Sequence, residues 1–248
     1  MKLILYRIYQ FTVMLPVLLT ATVAAALLTI VGPLVGFGKW AGYYPQHWWA
    51  RLFCAMTLVR VKVSGRENIS RDTSYVFVAN HQGAYDIFSI AGWLNHNFRW
   101  MMKAPLRRIP LVGYACEKAG QIYVDNSTPG RLRGTMKRAE QLLSHGMSLV
   151  VFPEGARTLD GRMHRFKKGA YVLASEFRLP VVPITIDGSF RVLPRTGLLP
   201  KWGVIRLTIH KPVYPDPEHG HDMQALIELT ATAVESALPP EEQRRRQG

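Results

Sequence analysis

The sequence predicts an α/β fold, a mixed sheet flanked by helices, behind an N-terminal membrane-associated helical pair. Three observations carry this expectation. Residues 8–38 contain no charged side chain. A cluster of aromatics follows at once: Trp40, Tyr43, Tyr44, Trp48 and Trp49. From Thr57 onward, short runs rich in Val, Ile and aromatics alternate with helical stretches, the pattern of strands covered by helices.

The apolar N-terminus comes first. As a helix, residues 8–31 would extend roughly 36 Å, enough to cross the hydrocarbon core of a bilayer. Lys2, Arg7 and the Ala24-Ala25-Ala26 run imitate a signal peptide. The apolar stretch, however, continues beyond those alanines and exceeds the roughly 7–15 residues of a signal core. Gly32-Pro33 is expected to break the helix. Trp and Tyr prefer the headgroup level of a bilayer. Residues 46–58 are therefore expected to form an amphipathic helix in that layer rather than an aromatic-rich core helix.

Strands are expected at 59–63, 75–79, 99–103, 121–124, 148–152, 181–186 and 204–209. Helices are expected at 85–94, 111–118, 130–144, 168–177 and 222–237. The organisation is then a membrane-anchoring region over residues 1–58, an α/β domain over 59–238, and a disordered tail over 239–248.

Composition narrows the function. Hydrophobic residues make up 48% and charged residues 19% of the 248, which excludes a disordered chain. The net charge of +14 attracts polyanions, whether nucleic acid, anionic lipid headgroups or acidic carrier proteins. The basic residues are spread along the chain rather than gathered with interleaved aromatics, so no nucleic-acid partner is expected. Two basic residues precede the apolar run and many follow it. That bias places the α/β domain on the cytoplasmic face of the cell membrane. Cys54 and Cys116 make neither a disulfide framework nor a zinc site, and no metal is expected.

Four blocks carry the chemistry. In Asn80-His81-Gln82-Gly83-Ala84-Tyr85-Asp86, His81 follows an apolar strand and Asp86 stands near a helix start. On one helix the five-residue spacing would separate the side chains by roughly 140°. Across a strand–loop–helix junction, with Gly83 permitting a tight path, they can meet. A carboxylate on one ring nitrogen fixes the tautomer and frees the other nitrogen to accept a proton. The spacing by itself equally fits a histidine that packs a strand end.

In Phe152-Pro153-Glu154-Gly155-Ala156-Arg157, a strand ends at Pro and Gly and presents Glu154 and Arg157. The guanidinium fork suits a phosphate. The basic residues Arg162, His164, Arg165, Lys167 and Lys168 follow. Read alone, this block also fits a solvated surface ion pair. Lys103 emerges at another strand end. Val181-Val182-Pro183-Ile184 reads as a buried strand that tolerates a proline near a sheet edge.

Taken together, the blocks resemble those of the 1-acylglycerol-3-phosphate acyltransferase family of glycerolipid acyltransferases. Asn80-His81-x-x-x-x-Asp86, Gly120-Gln121-Ile122-Tyr123-Val124-Asp125, Phe152-Pro153-Glu154-Gly155-x-Arg157 and Val182-Pro183-Ile184 occur in the family's order. The resemblance implies that His81 is the general base and Asp86 its partner. It implies that Glu154, Gly155 and Arg157 help bind the acyl acceptor, with Lys103 a phosphate contact. It further implies lysophosphatidic acid as acceptor, acyl-CoA or acyl-carrier protein as donor, and no cofactor. The chain departs from the family's pattern at Asn126, where Arg is common, and at Ala156, where Thr is common. A lost contact at Asn126 would fall to Arg131 or Arg133. Other lyso-lipid acceptors, such as a lyso-ornithine lipid, glycerol-3-phosphate, and a membrane-bound basic binding protein are the alternatives.

Overall fold

The computed structural model of the protein describes residues 2–125, 127–215 and 223–244. The N-terminal helices α1 (Lys2–Tyr9) and α2 (Leu15–Val31) are joined by a π-helical turn, Gln10–Met14. The wider turn lies just ahead of Pro16, which has no N–H to give and whose ring crowds the preceding turn. Leu3–Val35 is thereby one helical run long and apolar enough to cross a membrane. Gly32-Pro33 tightens this run into a 3-10 turn instead of breaking it. The stop is Gly36, whose φ of 87° is left-handed.

After the short helix α3 (Gly38–Ala41), α4 (Tyr44–Met56) returns along α2 and completes a helical pair. Trp40, Tyr44 and Trp48 form an aromatic ladder at the turn between them. Trp49 faces inward and donates its Nε1–H to Thr22 Oγ1 over 2.9 Å. The pair is tied to the rest of the chain. Tyr6 Oη donates to Thr57 O, and Tyr9 Oη to Met56 O.

Seven strands follow: β1 (Val59–Ser64), β2 (Val76–Ala79), β3 (Phe98–Lys103), β4 (Ile122–Val124), β5 (Ser148–Val151), β6 (Val181–Asp187) and β7 (Gly203–Ile209). They form one sheet in the order β1-β7-β6-β2-β5-β3-β4. Every pairing is parallel except β6 with β7, so the sheet is mixed. The helices α5 (Tyr85–Trp93), α6 (Val112–Lys118), α7 (Pro129–Ser144), α8 (Gly169–Glu176), α9 (Ser189–Val192) and α10 (Met223–Ser236) complete the domain.

Two apolar cores flank the sheet. Phe77 and Ala79 of β2 enter the one built with Ala50, Ile90 and Leu94. Val76 and Val78 enter the other, with Ala139, Leu173 and Leu226. Alternation along a strand buried on both faces explains why β2 is apolar throughout.

Pro183 does not lie near an edge. β6 is the third strand of seven, and Pro183 pairs with Val78 in its interior. The paired β7 ladder spans Ile184–Asp187; just beyond it the His210 N–H still donates to Pro183 O over 2.9 Å, so the proline forgoes only the reciprocal bond at the ladder's end. The tail expected to be disordered is folded over its first residues. Pro240–Glu242 form a 3-10 turn, and the Arg244 guanidinium pairs with Glu228 and Glu235. Residues 245–248 lie outside the described residues.

Candidate active site

β2, β5 and β3 are parallel, so their C-terminal ends share one edge of the sheet. The loop after β2 carries His81, the loop after β5 carries Glu154, and β3 ends at Lys103. Loops at such an edge are where α/β sheets gather reactive groups.

The histidine–carboxylate pair forms. His81 Nδ1 lies 2.8 Å from Asp86 Oδ2. The same oxygen accepts the backbone N–H of Gln82 at 2.7 Å and of Gly83 at 2.9 Å. The Asp86 side chain is fully buried in the first turn of α5, whose N-terminus favours a negative charge. An oxygen surrounded by donors is an acceptor, so Nδ1 carries the proton and Nε2 holds a free lone pair. The His81 side chain is 14% exposed, enough to meet a reactant at the surface.

The ring is held on its face as well. Phe152 stacks on it with centroids 3.9 Å apart and planes 11° from parallel, and Trp100 stacks behind Phe152. In the sequence Phe152 figured only as a strand end, and Trp100 had no role. The available signal was an aromatic closing an apolar strand one residue ahead of Pro-Glu-Gly.

Gly83 serves close approach more than an unusual backbone angle. A side chain there would sit 2.5 Å from Ser189 Oγ and 2.8 Å from Leu193 O. Its neighbour Ala84 donates to Leu193 O. Gly155 is constrained twice. Its φ is 79°, and a Cβ would stand 2.8 Å from Lys167 Nζ. Lys167 is therefore the member of the basic cluster held against the turn.

Glu154 faces inward. Oε1 accepts the His81 backbone N–H at 2.6 Å, and Oε2 accepts that of His164 at 2.8 Å. Burial pushes its carboxyl up to about 8, outweighing the two N–H bonds that lower it. The carboxyl group thus clamps the His81 loop to the loop after β5. The Thr158 N–H donates to His81 O and adds a second strut.

Arg157, next to Thr158, is half-buried, and its backbone oxygen accepts from Arg195. Its guanidinium pairs with no carboxylate among the described residues. Lys103 is exposed at the same edge, two inter-strand spacings from β2, or about 10 Å sideways. Arg131 is engaged with Asp125 at 3.1 Å, whereas Arg133 is exposed. Asn126 lies outside the described residues.

Behind the site, Gln82 is fully buried and donates Nε2 to Gly161 O and to Glu242 Oε2, both at 2.9 Å. Glu242 Oε1 accepts from Arg191, which also pairs with Asp187. No short-range pattern in the sequence announces this link across 160 positions.

The sequence profile described as acyltransferase matches residues 60–187. A chloroplastic 1-acyl-sn-glycerol-3-phosphate acyltransferase of Arabidopsis thaliana is 34% identical over 68% of this chain and 49% of its own length. An enzyme of the same name from Chlamydomonas reinhardtii is 31% identical over 96% of this chain and 70% of its own length. The chain spans about half the length of the chloroplastic proteins of Arabidopsis and Brassica napus that it matches. The crystal structure of the 1-acyl-sn-glycerophosphate acyltransferase PlsC from Thermotoga maritima superposes with a TM-score of 0.70 at 26% identity. It covers 88% of this chain and 93% of that one. Profile, relatives and fold agree, and the chain belongs to the acyltransferase family.

Proposed function

We propose that the protein transfers a fatty acyl group from acyl-CoA or acyl-carrier protein to the 2-hydroxyl of 1-acylglycerol-3-phosphate, giving phosphatidic acid. The observation that carries this reading is His81. Its Nδ1 is fixed by a buried carboxylate, and its Nε2 faces the sheet edge where Arg157 stands with no carboxylate partner among the described residues. The names of the relatives support the choice of acceptor.

In this reading the acceptor keeps its acyl chain in the leaflet. Arg157 grips its phosphate, with Lys103 and Lys167 adding positive charge. Nε2 of His81 takes the proton from the 2-hydroxyl. The oxygen attacks the thioester carbonyl, the C–O bond forms and the C–S bond breaks. The thiolate leaves and recovers the proton from His81. Asp86 steadies the imidazolium between these steps. Glu154 and Gly155 shape the turn that presents Arg157. The sequence of steps calls on no metal and no cofactor. Holding acceptor and donor together supplies much of the remaining rate.

The helical run Leu3–Val35 and its partner α4 attach the protein to the cytoplasmic face of the cell membrane in this reading. The free faces of the run carry Leu19, Leu28 and Leu34, and Phe37 follows it, all exposed. Purified protein is offered lysophosphatidate with acyl-CoA and, separately, with acyl-carrier protein, and free thiol is recorded. Thiol release that depends on the acceptor supports the assignment. Silence with both donors refutes it, and release only with a different lyso-lipid replaces the acceptor.

A further inference from the structure

The loop over residues 193–202 links α9 to β7 and carries Leu198 at its tip. Leu198 is 95% exposed, more than any other large apolar side chain among the described residues. Exposed Arg195 and Lys201 flank it, and half-exposed Trp202 ends the loop. The loop does not project alone. The Trp202 ring meets Tyr6 of α1 edge-on, with centroids 4.8 Å apart. The buried Gln10 side chain donates to Pro200 O over 2.8 Å. Both partners belong to the apolar helical run, which exposes Leu3 beside them and Ile4, Ile8 and Phe11 on the far side of the helix. Leu198 and Trp202 therefore belong to a loop seated directly on the apolar run.

The other end of the loop reaches the site. Leu193 O accepts the Ala84 N–H, and Pro194 bridges to Gly83. Arg195 Nη1 donates to Arg157 O. Lys201 N–H returns to Val192 O and closes the loop.

We propose that this loop is a second lipid-contacting element, in which Leu198 and Trp202 enter the leaflet that holds α1 while Arg195 and Lys201 meet anionic headgroups. An isolated leucine in water gains by entering hydrocarbon, a Trp next to it suits the headgroup boundary, and flanking cations are drawn to anionic lipid. Lipid contact at the tip would fix the height of Gly83, Ala84 and Arg157 above the membrane, and with it the reach of His81 to an acceptor in that leaflet. The inference rests on the membrane attachment proposed above.

The test uses the full chain in vesicles of phosphatidylcholine and phosphatidylglycerol, with Cys54 and Cys116 replaced by Ala. A nitroxide is attached through Leu198→Cys, Leu19→Cys or Glu67→Cys, and collisions with oxygen and a water-soluble nickel chelate are compared. Glu67 is exposed just past the end of β1 opposite to the end that pairs with Gly203 beside the loop, and reports water. The oxygen-to-nickel ratio at position 198 should rise severalfold on adding vesicles, as at position 19 and unlike position 67. A water-like ratio at 198 with an immersed position 19 overturns the loop proposal and leaves the anchor standing. Water-like ratios at both overturn the two together. In addition, Leu198→Asp should lower turnover of vesicle-borne lysophosphatidate about tenfold. It should leave turnover of a short-chain monomeric acceptor unchanged. Equal turnover by the variant on vesicles, or an equal loss on both substrates, would overturn the proposal.

Discussion

The backbone N–H of His81 donates to Glu154 Oε1 over 2.6 Å and joins two loops that stand 73 positions apart. Glu154 lies behind the candidate base, where it fixes the loop that carries the ring. Removing it should disturb the direction of Nε2 before it disturbs the grip on the acceptor.

Glu154→Gln keeps the shape but leaves one of the two N–H groups, from His81 or His164, facing an amide NH2. An unsatisfied buried donor costs about 1–3 kcal/mol. The expected result is a kcat lowered about tenfold to a hundredfold with acceptor KM nearly unchanged, read from steady-state kinetics. A change confined to KM would place the carboxylate against substrate instead.

The same carboxyl gives stability a pH dependence. Its folded value is about 8 and its ordinary value 4.5, so between these the folded state holds the proton that the unfolded chain has lost. This group's contribution therefore becomes less favourable as pH rises from about 4.5 to 8. Glu154→Gln should remove that falling contribution, so its Tm in detergent, relative to wild type, should rise between pH 4.5 and 8. A variant with the wild-type slope would mean that the site does not hold the proton.

Phe152 stacks on the His81 ring at 3.9 Å. Phe152→Leu keeps apolar volume and loses the flat face. We expect kcat to fall several-fold with acceptor KM nearly unchanged, because the ring loses the face that sets its direction. Steady-state kinetics checks this. An unchanged kcat would reduce Phe152 to filler.

Glu242 supports the His81 loop through Gln82. Glu242→Ala removes the acceptor for one Gln82 proton and for Arg191, and should lower kcat about tenfold. Glu242→Gln retains an acceptor for Gln82 and should recover much of that loss. Equal activity for wild type and Glu242→Ala would detach the C-terminal turn from catalysis.

Much of this was legible in the sequence, for identifiable reasons. Each of the seven strands lies within a residue or two of its expected place, because Val, Ile and aromatic runs closed by Gly, Pro or Asn report strands directly. The strand order was not legible, since pairing β2 between β5 and β6 is decided by packing and not by any local pattern. Pro183 suggested an edge, because sequence does not show where a neighbouring ladder stops. His81 and Asp86 were readable as a pair because a strand–loop–helix junction is a local event. Glu154 was legible as a residue, but its inward direction depends on two N–H groups from distant loops. The tail was read by composition as unstructured, and the contacts that fold Glu242 and Arg244 against the domain are long-range.

The most direct measurement compares His81→Ala with the wild-type protein in acceptor-dependent thiol release. Proton removal by Nε2 of His81 should make turnover fall by about 10²–10⁴-fold, with the Tm preserved. A His81→Ala protein that releases thiol at most of the wild-type rate would contradict His81 as the base.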